Sequence, residues 1–208
     1  MRWTTSTAGM EGNDGDDDWA LAQLAARGDQ EAYAVLIGRY QGPVHGFVFR
    51  SVGNVETAED LTQEVFVKAW FALARVQERA RFSTWLFQIA ANLCRDHAKS
   101  KATRQARRMN SLVREREDGS TEERDFKHPG LSPDNQAQMN ETMAVLDRAI
   151  ADLPLKLREV FILGTIDLLP HKEISSILGI SPKAVEVRIY RARKTLTERL
   201  ANEGIVAL

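Results

Sequence analysis

The stretch Glu173–Leu196, EISSILGISPKAVEVRIYRARKTL, decides how this chain is read. Ile174, Ile177 and Leu178 recur at helical spacing and predict a short helix from His171 to Leu178 with one apolar face. Gly179 follows, where a tight turn needs a residue free to take positive φ, and Ile180 returns to the core. Ser181 is a good N-cap, and Pro182 takes the first helical position, where its missing N–H costs nothing. The second helix then buries Val185, Ile189 and Leu196 and leaves its basic residues on other faces. An apolar helix, a glycine turn and a capped, basic second helix together predict a helix-turn-helix that reads DNA.

In such a motif the N-terminal half of the second helix faces base edges in the major groove. Ser181, Lys183, Glu186 and Val187 occupy that half, whereas Arg188, Tyr190, Arg191, Arg193 and Lys194 follow it. The arginines and Lys194 suit phosphates, which fix register rather than sequence. Glu186 would repel phosphate. It either accepts from a cytosine N4 in the groove or pairs with a neighbouring base along its own helix.

Working towards the N-terminus, Leu157, Val160, Phe161 and Leu163 predict one helix after Pro154, and Met143, Leu146, Ile150 and Leu153 another before it. These make residues 139–208 one unit. Across residues 103–138 apolar residues thin out and turn formers gather, including Asp118-Gly119-Ser120 and Pro129-Gly130, which predicts a flexible linker.

Residues 18–102 read as a bundle of four or five helices. Asp18 is placed to cap the first, which carries Leu21, Leu24 and Ala25. Tyr33, Leu36, Ile37 and Tyr40 mark the second, which Gly42-Pro43 is expected to interrupt before Phe47, Val48 and Val52. Thr57 and Asp60 resemble a capping box ahead of Ala58, Leu61, Val65, Ala69 and Leu73. A loop over 75–81 leads to a helix beginning near Ser83 or Thr84, with Trp85, Leu86, Ile89, Ala90 and Leu93. Trp70 and Trp85 fall in apolar phase and read as core. Residues 1–17, rich in Gly, Thr, Ser and Asp, read as a disordered acidic tail. The fold class is therefore all-α: an N-terminal bundle and a C-terminal helix-turn-helix unit joined by a linker.

Net charge over the 208 residues is only -1, but its distribution is uneven. Eight bases lie between Arg95 and Arg116 against Asp96 and Glu115, and seven between Lys172 and Arg199 against three acids. Two separated basic stretches point to two footprints on a polyanion. The single Cys94 cannot form an internal disulfide and sits in apolar phase, as a small hydrophobe. No apolar run approaches the roughly 20 residues of a membrane span, and no hydrophobic signal core follows Arg2, so a cytoplasmic protein without membrane insertion is expected. His45, His97, His128 and His171 are scattered, with no metal-ligand or triad spacing, so neither a catalytic site nor a cofactor is expected.

Four segments in this order resemble one family: AEDLTQEVFVKAW (58–70), FSTWLFQIAANLCRDH (82–97), LPLKLREVFIL (153–163) and the helix-turn-helix itself. They are similar to the extracytoplasmic-function (ECF) sigma factors of the sigma-70 class. The resemblance implies a promoter-recognition subunit that binds core RNA polymerase through its β′ clamp helices and β flap, binds promoter DNA, and is controlled by an anti-sigma factor. It places Asp60, Leu61, Gln63, Glu64 and Phe66 at the polymerase contact. Asn92 and the loop containing Val76, Gln77, Glu78, Arg79 and Arg81 fall at the minus-ten element, where a base is flipped out of the melted strand. The resemblance implies that the helix-turn-helix set reads the minus-thirty-five element. This chain departs from the family where Val-Gln-Glu-Arg-Ala-Arg replaces the common Phe-Arg-Gly, and where Lys183, Ala184, Glu186 and Val187 replace the frequent Gly, Thr, Lys and Ser. The competing reading is a helix-turn-helix regulator whose N-terminal bundle dimerises or senses a ligand. That reading predicts binding to duplex DNA without polymerase.

Overall fold

The computed structural model describes residues 14–77, 80–112 and 145–202, and they are helical with no strand among them. In chain order the elements are α1 (Asp14–Ala26), α2 (Gln30–Val52), α3 (Val55–Leu73) and α4 (Phe82–Leu112). Then come α5 (145–151), α6 (Leu155–Phe161), a π turn (Ile162–Ile166), α7 (His171–Leu178) and α8 (Pro182–Asn202). Residues 1–13 of the expected tail and 113–138 of the expected linker lie outside the described residues.

Four local expectations need correction. Asp14–Asp17, read as tail, form the first turn of α1, and Asp18 is no cap. Its carboxylate is buried, accepts from the Tyr40 hydroxyl and pairs with Arg39 at 2.6 Å, so it ties α1 to α2. Gly42-Pro43 does not break α2. Proline in a helix interior costs about 3 kcal/mol, but Leu36, Tyr40, Val44, Phe47 and Val48 form one unbroken buried stripe through it. At about 1.5–3 kcal/mol for each large apolar side chain, that stripe outweighs the lost bond. The cap of α3 is Asn54, whose side chain accepts from the Thr57 N–H at 2.8 Å, one turn earlier than the Thr57 box. Finally, α4 runs past Thr103 to Leu112, so the expected linker begins as helix.

α1 to α4 pack around Leu36, Val44, Phe47, Val48, Ala58, Val65, Ala69, Phe82, Leu86 and Ala90. The Tyr33 hydroxyl donates to the Phe66 carbonyl at 2.5 Å, and burial pushes its pKa up to about 12. In the C-terminal unit, Ile150, Leu153, Phe161, Ala192 and Leu196 join α5, α6 and α8. Gly164, in the π turn, lets two helices meet: a Cβ there would lie 2.8 Å from Ile189 Cδ1 and 3.2 Å from Ile174 Cδ1. The turn between α7 and α8 is the expected one, with Gly179 at φ 65 and its N–H donating to the Ser175 carbonyl.

The two units touch along a seam where Val160, Ile162, Leu163 and Ile174 join the buried cluster of the bundle and several polar contacts lie beside them. Glu159 of α6, 1 % exposed, accepts from Arg95 Nε of α4 at 3.1 and 3.2 Å. Arg158 donates to the Ser51 carbonyl at the end of α2, and Gln88 Nε2 donates to the Ser176 carbonyl at 2.9 Å. Arg50 lies 3.7 Å from Asp167, and Arg81 3.3 Å from Glu173. Asp167 Oδ2 and Thr165 Oγ1 are buried without a hydrogen-bond partner. Burial raises the Asp167 pKa to about 6 against the pull of Arg50, and also raises that of Glu159.

Candidate polymerase and nucleic-acid interface

α3 divides the expected polymerase residues by burial. Asp60, Gln63 and Glu64 are exposed, and Glu64 pairs with Lys68 at 2.9 Å. Leu61 and Phe66, expected at the same contact, are each only 8 % exposed and pack into the core beside Val65. The helical period carries them inward, so their share in any contact is to hold α3 in place. The exposed face continues instead through Val67 and Phe71, the latter 76 % exposed, which the sequence reading missed. Two apolar residues outside the buried stripe, one turn apart, were the available signal. Beside this face lies a groove of about 540 Å³ between α2 and α3, lined by Gly38, Gly42, His45, Thr62 and Gln63.

The minus-ten set gathers along the start of α4 and the loop before it. Asn92 is exposed, and its Oδ1 accepts from Arg95 Nη1 at 3.1 Å, so the residue that grips Glu159 also orients Asn92. Val76 is half-buried against the core, while Gln77 and Arg81 are exposed. Glu78 and Arg79 lie outside the described residues. The loop is anchored where the Trp19 indole N–H donates to the Ala80 carbonyl at 2.8 Å. Trp85 and Trp70 are half-buried against the core: the Trp85 ring packs at a tilt against Trp19 and Phe82, and Trp70 meets the Tyr33 ring at 4.8 Å. Sequence reasoning counted Arg95 only as one of a basic stretch and gave no role to Gln88 or Glu159, because each looks like an ordinary polar residue on an amphipathic helix. Cys94 beside them is buried, and burial pushes its thiol up to about 12, so it is held neutral.

α8 presents its residues in three groups. Ser181 Oγ accepts from the Ala184 N–H at 3.2 Å, as an N-cap should. Lys183, Glu186, Tyr190, Arg191, Arg193 and Lys194 are exposed, with Tyr190 at 68 %. Val187 and Arg188, expected beside them, are half-buried, and the positive charge of Arg188 acts on Glu159. Lys183 Nζ donates to Glu186 Oε2 at 2.9 Å. That hydrogen bond, followed by the lysine charge, holds the Glu186 carboxyl below its ordinary range, so it is ionised and acts only as an acceptor. Lys194 lies 3.9 Å from Glu198.

Among the described residues no group of His, Cys, Asp and Glu is arranged to hold a metal ion, and no helix is long and apolar enough to cross a membrane. The architecture is that of known transcription factors. Residues 36–104 match the family model of sigma-70 region 2, and residues 143–196 that of sigma-70 region 4. The ECF RNA polymerase sigma factor SigW of Bacillus subtilis is 33 % identical over 174 residues, covering 84 % of this chain and 91 % of that protein. The ECF RNA polymerase sigma-E factor of Escherichia coli K12 is 31 % identical over 188 residues, covering 88 % and 94 %. CnrH, solved in complex with the cytosolic domain of CnrY, superposes with a TM-score of 0.61 at 31 % identity, covering 89 % of this chain and 97 % of that one. The sigma factor RpoE of Bartonella quintana, solved with the anti-sigma factor NepR, shares the fold at 20 % identity and a TM-score of 0.59. Region 2 on the bundle, region 4 on the helix-turn-helix and relatives matched along nearly their whole length agree: this chain belongs to the ECF sigma factors of the sigma-70 family.

Proposed function

We propose a division of labour in which α3 holds core RNA polymerase, α4 and its preceding loop hold the melted minus-ten strand, and α8 reads the minus-thirty-five duplex. The observation that carries this is the disposition of α8: a capped helix with an exposed basic stripe, on a unit separate from the bundle that bears Asn92. Asp60, Gln63 and Glu64 supply an acidic, hydrogen-bonding face for the clamp helices of β′, with Val67 and Phe71 as its apolar edge. The unit containing α5 to α8 also meets the β flap. Arg81, Gln77 and Val76 border the place where a flipped base is received, and Asn92 offers an amide to a base edge. Arg191, Arg193 and Lys194 bind phosphate and fix the register of α8.

The protein works in the cytoplasm, performs no catalysis and needs no cofactor, since polymerase supplies the chemistry. An anti-sigma factor restrains it, a reading supported by the fold shared with RpoE, which was solved with NepR. The deciding experiment is in vitro transcription with core polymerase on fragmented genomic DNA, with start sites mapped. Discrete starts that depend on this protein are expected. Failure to associate with core polymerase, with tight duplex binding by the free chain, would replace this reading with that of a polymerase-independent regulator.

A further inference from the structure

The leading exposed residues of α8 form a closed pair. Lys183 and Glu186 are one turn apart, with side chains 77 % and 58 % exposed, and their charged ends meet at 2.9 Å. A pair this exposed adds little to helix stability, so stability does not explain it. Because Val187 and Arg188 turn partly inward, Lys183, Glu186, Tyr190 and Lys194 make the outermost stripe at i, i+3, i+7 and i+11. A lone carboxylate on that stripe would be repelled by phosphates on both sides of a groove. With Lys183 bound to it the pair is neutral and enters as one acceptor beside one cluster of donors.

In the major groove a G·C pair shows the cytosine N4 donor at one end of a row, followed by the guanine O6 and N7 acceptors. An A·T pair shows the adenine N6 donor between two acceptors, thymine O4 and adenine N7. A carboxylate on N6 is therefore flanked by acceptors on both sides, whereas on N4 it has one such neighbour. That neighbour is where the ammonium belongs. We infer that Lys183 and Glu186 act as one reader of a single G·C pair in the minus-thirty-five duplex, Glu186 accepting from cytosine N4 and Lys183 donating to guanine O6 and N7. The inference rests on α8 being the minus-thirty-five helix and adds which base pair it selects and in which strand orientation.

The test is transcription by holoenzyme, assembled from the full chain and core polymerase, on a promoter library randomised across the minus-thirty-five element with the minus-ten element fixed. Wild-type protein is expected to enrich G·C over A·T at one position by about five- to hundred-fold, in one strand orientation. Lys183→Ala and Glu186→Ala each lose that enrichment while other positions keep theirs. The exchange of charges, Lys183→Glu with Glu186→Lys, keeps the G·C requirement and inverts its strand. Circular dichroism and co-purification with core polymerase establish that each variant folds and assembles. A minus-thirty-five preference that persists unchanged in all three variants overturns the pair as reader and leaves α8 as the DNA helix. Absence of any enrichment across the element by wild-type protein overturns the assignment of α8 itself, and the pair with it.

Discussion

α4 and α8 are both basic helices assigned to DNA, yet the rest of the molecule treats them oppositely. Along α4, Gln88 and Arg95 are engaged by Ser176 and Glu159 of the C-terminal unit, Asn92 is held by Arg95, and Arg81 just ahead of the helix meets Glu173. Along α8, Lys183, Tyr190, Arg191 and Arg193 face outward; the ion pairs of Lys183 and Lys194 stay within the helix, and Arg199 near its end reaches another segment, at Asp152. Glu159 and Glu173 put carboxylates on the guanidinium groups of Arg95 and Arg81, where a melted strand would put phosphates. The guanidinium groups of Arg95 and Arg81 are thus engaged by acids of the same chain, while Lys183, Arg191 and Arg193 of α8 face outward. These polar contacts sit beside an apolar cluster that both units share through Val160, Ile162, Leu163 and Ile174.

The sharpest way to break the contrast is Arg95→Ala. It leaves the Glu159 carboxylate, 1 % exposed, without its closest partner, a change expected to destabilise the closed chain by about 3 kcal/mol. Opening the seam relieves that charge, so small-angle X-ray scattering is expected to show a larger radius of gyration. Adding Glu159→Gln is expected to restore most of the compactness. Unchanged dimensions in the single variant would mean that the pair does not hold the seam.

A second, smaller effect depends on pH. Burial lifts the Asp167 pKa from its ordinary 3.8 to about 6, so the fold prefers the protonated form. That preference stabilises fully below the ordinary value and is lost as pH rises through about 6, leaving a buried charge at neutral pH that Arg50, at 3.7 Å, only partly offsets. Asp167→Asn is therefore expected to raise stability by about 1–2 kcal/mol near pH 8 and to have almost no effect near pH 4. Denaturant titrations at the two pH values check the sign, and equal gains at both would remove burial of the charge as the cause.

On the open side, Ser181→Ala removes the cap of α8 and is expected to cost about 1 kcal/mol, seen as a lower Tm. Scattering should not change, because the seam is untouched. The smallest effect on stability belongs to Lys183→Ala, whose Tm is expected to match the wild type although its promoter selectivity does not. A marked drop in Tm would give the Lys183–Glu186 pair a structural role after all.

Much of the helix-turn-helix was legible because its signals are local. Gly179, Ser181 and the Ile174/Ile177/Leu178 face each act within one turn of the chain, and each appears as expected. Pro43 was misread because local chemistry predicts a break, whereas the deciding quantity is the buried stripe on both sides of it. Asp18 was misread for a related reason. An Asp ahead of an apolar period looks like a cap until Arg39 and Tyr40 are brought against it from the next helix. The seam was invisible, since Arg95 and Glu159 are 64 residues apart and each sits in a sequence that would suit a solvated face. Within the candidate site, periodicity rightly set Asp60, Gln63 and Glu64 outside, but a motif match alone could not distinguish them from Leu61 and Phe66, which the same periodicity turns inward.

The bond from the Trp19 indole to the Ala80 carbonyl gives the molecule an optical asymmetry. Among the described residues the tryptophans are Trp19, Trp70 and Trp85, all in the bundle, and none lies on α5 to α8. Emission from these three tryptophans therefore reports on the bundle rather than on α5 to α8. Trp19 couples its emission to the polarity and position of the loop that precedes α4. A minus-ten oligonucleotide is expected to change the emission spectrum if it enters that loop, whereas a duplex held by α8 is expected to leave it unchanged.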